Sequence, residues 1–130
     1  MNLTRSYLNF RALSVSTQWQ LSKAKKEYVK KHNTCAICGH TENLEVHHII
    51  PVHIDTSKAL DHSNFITLCD WRNHGCHYVF GHFRNFRTKW NPKIREFAKI
   101  VSDVLNENKS ISYLQISAIT AWNTSRKWKD

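Results

Sequence analysis

Four cysteines constrain this chain more tightly than any other feature. Cys35 and Cys38 form a C-x2-C pair followed by Gly39, and Cys69 and Cys76 form a second, looser pair further on. A C-x2-C turn brings two sulfurs to one ion, and Gly39 permits the tight turn after the second thiolate. Cys69 and Cys76 supply two more ligands for a tetrahedral zinc site. The gap between them is longer than a knuckle needs, so part of it must loop out, and His74 within that loop is a rival fourth ligand. Two disulfides would require an oxidising compartment, and unrelated buried thiols would not need this spacing. The pattern therefore points to structural zinc. At 130 residues the chain makes one domain with a modest core, which a structural metal would supplement.

Charge narrows the class of partner. Lys and Arg number 19 against 10 acidic residues, a formal charge of +9, which favours an anionic partner and above all nucleic acid. No apolar run approaches the ~20 residues of a membrane span, and the N-terminus lacks the charged-then-apolar layout of a secretory signal. These features describe a soluble, cytoplasmic protein with no membrane partner.

Along the chain, residues 16–33 are predicted as an N-terminal helix capped by Ser16 or Thr17, with Trp19, Leu21, Ala24, Tyr28 and Val29 as its apolar stripe. LEVHHII, ended by Pro51, and FITLC, residues 65–69, are predicted strands. The polar stretch between them is a loop holding one helical turn around residues 58–60. Residues 76–90 suit a helix that Gly81 should weaken or end. Asn91-Pro92 then opens a second helix, with Ile94, Phe97, Ile100, Val101, Val104 and Leu105 at helical spacing. Residues 110–122 also lean towards helix, and the basic end SRKWKD is left unassigned.

Nine histidines are many for this length, and His47, His48, His74, His77 and His82 fall in the central third. Neighbours in a strand point to opposite faces, so His47 and His48 cannot easily serve one ion. A division of labour follows: one imidazole holds a metal while the other takes a proton from water, a task suited to its near-neutral pKa.

The run LEVHHIIP, then Asn64-FITLC, then Cys76-His77, framed by the preceding C-x2-C, resembles the HNH endonuclease superfamily with its ββα-metal, treble-clef-like core. The continuation CHYVFGHFRNFRTKW is similar to small bacteriophage-encoded HNH proteins, including homing-type enzymes. The resemblance implies an α+β fold: a structural zinc knuckle and nuclease core over residues 35–90, an N-terminal helix, and a C-terminal helical extension over 91–130. It implies His48 as the general base, and Asn64 as the residue that fixes the loop and orients that base. It implies His47 and His77 as ligands of a catalytic divalent metal. His82 has an open role, as a further ligand, a phosphate contact or a packed surface histidine. A neutral imidazole at position 47, where relatives often carry Asp, admits Mn, Ni or Zn beside Mg.

DNA, most simply double-stranded, is the implied substrate. Arg84, Arg87 and Lys89 alternate with Phe83, Phe86 and Trp90, which suits phosphate contacts beside stacking rings, or solvated cations beside core rings. The lysines at positions 23, 25, 26, 30 and 31 carry the same two readings. The class rival is a zinc-dependent nucleic-acid-binding module that does not cut. Monomer and homodimer both remain open.

Overall fold

A computed structural model describes residues 13–106 of the chain, with side chains to residue 103. The predicted helix at 110–122, the basic end and the first twelve residues lie outside the described residues. The first helix, α1, spans Val15–Lys31, one residue before the expected start and two short of the expected end. Ser14 is the cap: its hydroxyl accepts the Thr17 N–H at 3.1 Å and bonds the Thr17 hydroxyl at 2.8 Å. Ser16 and Thr17 therefore lie inside the first turn. Leu21 and Tyr28 are buried and Ala24 is half-buried, three positions on one helical face. Trp19 does not join them. It stands off that face, 69% exposed, with Lys23 Nζ 6.0 Å from its ring. Lys30 and Lys31 occupy the last turn, where the helix dipole favours cations.

Strands β1, Leu44–His48, and β2, Phe65–Cys69, pair antiparallel with His48 opposite Phe65 and Leu44 opposite Cys69. Paired residues share a face, so Val46, His48, Phe65 and Thr67 lie on one side, and Glu45, His47, Ile66 and Leu68 on the other. The first side packs against α1: Leu21, Tyr28, Val46 and Phe65 form one apolar cluster, and the Tyr28 hydroxyl donates to Phe65 O at 3.0 Å. On the second side, Ile66 and Leu68 join Phe80, Ile94, Phe97 and Val101 in the larger cluster.

The connection between the strands holds two short 3₁₀ turns, Thr56–Lys58 and His62–Asn64, rather than one helical turn. Each starts at an Asp-x-Ser unit. The carboxylates of Asp55 and Asp61 accept the backbone N–H of Ser57 and Ser63.

Past β2, a wide π-helical turn covers His77–Gly81 and stops there. The helix expected to reach Trp90 is not formed, because Phe83 and Arg84 adopt positive φ (49° and 63°) and reverse the chain. Arg84 N–H then closes the turn onto Tyr78 O at 2.9 Å. Helix α2, Ile94–Asn106, is preceded by the expected Asn91-Pro92 start. Asn91 is fully buried and does more than cap. Its Oδ1 accepts Lys93 N–H, its Nδ2 donates to Phe80 O, and its own N–H reaches Gly81 O, which fastens α2 to the π-turn. Ile100, expected on the apolar stripe, is 61% exposed, and Ala98 takes the buried place instead. Among the described residues no helix is long and apolar enough to cross a membrane.

Candidate metal centres and active site

The fold brings the four cysteines together. Their Sγ atoms all lie within 4.8 Å of one another, with Cys38 Sγ and Cys69 Sγ 3.6 Å apart. Cys35 and Cys38 sit in a knuckle closed by Gly39 N–H to Cys35 O and Cys35 N–H to His40 O. Gly39 takes φ +79°, as the tight turn requires. Cys69 ends β2 and Cys76 precedes the π-turn. The residues between them loop out around Asp70, whose carbonyl accepts Asn73 and Gly75 N–H and whose carboxylate grips Arg72 in a bidentate pair.

His74 is exposed on this loop, beside His40 (ring centroids 4.9 Å apart) and within reach of Cys38 only, so it does not displace a cysteine from the quartet. Hydrogen bonding from Cys38 lowers the Cys35 thiol to about 6, and bonding from Cys35 also lowers Cys69, while Cys38 and Cys76 are pushed up. Crowded sulfurs cannot all become anionic without a cation among them. That donor set fits a thiophilic ion such as zinc.

A second cluster forms on the opposite side of the sheet from α1. His47, His77 and His82 make a near-equilateral triangle, with ring centroids 5.0, 4.8 and 5.0 Å apart. Their ligand atoms lie within 4.8 Å of one another. The π-turn explains how residues five apart come to one face: its wider turn sets His82 beside His77, where an α-helix would rotate it away. Gly81 provides the space, since a Cβ there would stand 3.3 Å from His47 Cε1 and Nδ1 and from His77 Cδ2.

The outer nitrogens of two rings are already committed. His82 Nδ1 lies 2.7 Å from Lys89 O, and His77 Nδ1 lies 2.6 Å from Glu45 Oε2. Both arrangements leave Nε2 facing the triangle, as outer partners do for metal-bound histidines. His47 is 1% exposed, and neither of its ring nitrogens finds a hydrogen-bond partner among the described residues. Burial, with repulsion from His77 and His82, drives its pKa well down, and burial lowers His82 to about 4. Three converging imidazoles, with the buried nitrogens of His47 orphaned among them, fit a divalent cation.

Sequence patterns alone do not single out Glu45. Its signal is nonetheless simple: two residues before His47 in a strand, it shares that histidine's face.

His48 lies across the strand from this triangle, packed edge-on against Phe65 (5.0 Å), as strand alternation requires. Its Nε2 is 2.9 Å from Ala59 O, so that nitrogen donates and Nδ1 keeps its lone pair. Burial lowers its pKa to about 4, with the Ala59 bond opposing, and the ring is neutral at physiological pH. Asn64, 5% exposed, staples the loop: Oδ1 accepts Ile50 N–H at 2.8 Å, and Nδ2 donates to Ile50 O and Lys58 O. Since Lys58 precedes Ala59, Asn64 sets the carbonyl that orients His48.

In the segment after the π-turn, Phe83 is buried and Phe86 packs among His77, Tyr78 and His82, so these rings belong to the fold. Arg84, Arg87 and Lys89 are exposed beside them. Phe83 and Phe86 therefore follow the reading in which the rings pack and the cations stand in solvent.

Residues 35–77 match the family model of the HNH endonuclease, a span that holds all four cysteines together with His47, His48, Asn64 and His77. No curated protein and no solved structure matches the chain.

Proposed function

From an HNH domain over residues 35–77, we propose that this chain is a metal-dependent endonuclease that hydrolyses DNA phosphodiester bonds. The observation carrying the proposal is the pairing of a histidine triangle with orphaned nitrogens and a neutral, oriented His48 across one strand. His47, His77 and His82 would hold the divalent ion, with Mg, Mn, Ni and Zn all admissible. When bound, that ion supplies positive charge for the phosphoryl oxygens and the departing 3′ oxygen.

The chain's own residues do the rest. His48 accepts the proton of the attacking water at Nδ1, while Nε2–H stays on Ala59 O and fixes the ring. The water oxygen forms the new bond to phosphorus as the bond to the 3′ oxygen breaks. Asn64 holds the loop that carries Ala59, and Glu45 holds the His77 ring by Nδ1. The four cysteines would hold a structural zinc, tying the knuckle to β2 and the start of the π-turn. Arg84, Arg87 and Lys89, exposed beside the triangle, contact phosphates.

Supercoiled plasmid is the direct substrate for a test. The purified protein should nick or linearise it with added Mg, Mn or Ni, and should do nothing in EDTA. Retardation of the plasmid without cleavage under every metal would instead make the chain a non-catalytic binding module.

A further inference from the structure

Strand β1 has β2 on one side only, and a groove runs along its outer edge. Lys25, Lys26 and Lys30 of α1 line it together with Glu45, Val46 and His77. The five lysines of α1 are thus not equivalent. Lys23 sits over Trp19, Lys31 lines a different groove beside His32, and three line the groove at β1 that His77 also lines.

The charge of this groove is unbalanced. Its single carboxylate, Glu45, is bonded to His77 at 2.6 Å. Lys25 is half-buried, and the acidic group that acts on it is Glu45, itself held by His77. A half-buried cation whose carboxylate partner is committed elsewhere is stabilised when an anion joins it. Burial lowers the Lys25 pKa, with Glu45 opposing. Lys26 and Lys30 are exposed and one helical turn apart on the same face. Three cations set against one carboxylate that is already committed to His77 suit a run of phosphates.

We infer that Lys25, Lys26 and Lys30 bind consecutive backbone phosphates of the strand being cut, next to the scissile bond, and thereby guide that strand along α1 into the site. This rests on the endonuclease reading above. The sequence alone does not distinguish these lysines from a solvated helix face.

The test uses the full chain in a His48→Ala background, so that duplex DNA stays intact, with affinity measured by fluorescence anisotropy across a salt series. Each phosphate contact contributes about 0.9 to the slope of log K against log salt. Lys26→Gln/Lys30→Gln should therefore lower the slope by roughly 2, and Lys25→Gln by roughly 1. Lys93→Gln/Lys99→Gln, which removes the same charge from the α2 side, should leave it unchanged. Both exposed pairs lie on the surface, so folding is not at issue, and Lys25→Arg should restore the Lys25→Gln loss. Equal slope changes from the two double variants, or none from the α1 pair, would overturn the inference while leaving the nuclease reading intact. Absence of any DNA binding by the parent protein would overturn both.

Discussion

Replacing Gly81 with alanine probes the histidine triangle through a residue that is not itself a ligand. The new methyl would stand 3.3 Å from two atoms of His47 and one of His77, so a ring must move by a few tenths of an ångström. His47 is enclosed, at 1% exposure, and His77 is tied to Glu45, so neither moves freely. Ligand distances in a metal site tolerate only about ±0.2 Å. Disturbances of this kind around a metal site cost about 10–100-fold in affinity, or roughly 1.4–2.7 kcal/mol.

Folding stability should behave differently. Alanine favours a helical segment over glycine by about 0.5–1 kcal/mol, which offsets part of the crowding. The zinc-loaded protein without the second ion should accordingly melt within roughly 4 °C of the parent. Isothermal titration of Mn or Ni into zinc-loaded protein reads the first quantity, and circular dichroism melting the second. Parent-like affinity for the second ion in Gly81→Ala would refute the placement of that ion among His47, His77 and His82.

Other perturbations separate the remaining parts. Glu45→Gln keeps the shape of the His77 partner but removes its charge. It should weaken binding of the catalytic ion by about tenfold, as seen by titration, with the zinc content unchanged. Cys69→Ser removes a thiolate that is 0% exposed. Structural zinc contributes about 10–16 kcal/mol in small zinc-dependent folds, so zinc content should fall and the cooperative melt disappear, and a parent-like melt would exclude a structural ion. Acid should also destabilise the fold. His47, His48 and His82 have folded pKa values pushed down by burial, the latter two to about 4. The unfolded chain binds those protons first, so stability is complete above about pH 6.5 and falls as pH drops towards 4. The loss is at most roughly 3 kcal/mol for each of His48 and His82. Urea midpoints between pH 7.5 and 4.5 should fall with pH, and a flat profile would count against the buried neutral rings.

Much of this architecture is legible in the sequence because it rests on local rules. C-x2-C-G announces a knuckle, LEVHH and FITLC announce strands, and strand alternation by itself separates His47 from His48. The rest depends on geometry that short-range patterns do not encode. The i, i+5 spacing of His77 and His82 makes sense only on a π-turn, and Gly81 reads as a helix breaker when it is also the space that two of the imidazoles, His47 and His77, need. Two residues in the left-handed region, Phe83 and Arg84, end the expected helix, although neither type announces that conformation. Glu45 and the Ala59 carbonyl act on His77 and His48 across long sequence separations. Trp19 and Ile100 show the limit of stripe counting: each sits near an apolar face by spacing, yet stays in solvent.

The proposed role of His48 is to activate water beside a metal centre built by other residues. It is tested most directly by single-turnover cleavage of plasmid by the parent and by His48→Ala, with zinc content, second-ion affinity and DNA retardation measured on both. The expected result is a loss of roughly 10²–10⁴-fold in rate, with metal content and DNA binding retained. Cleavage by the variant at the parent rate would contradict the assignment of His48 as the base, even if the chain proved to be a nuclease.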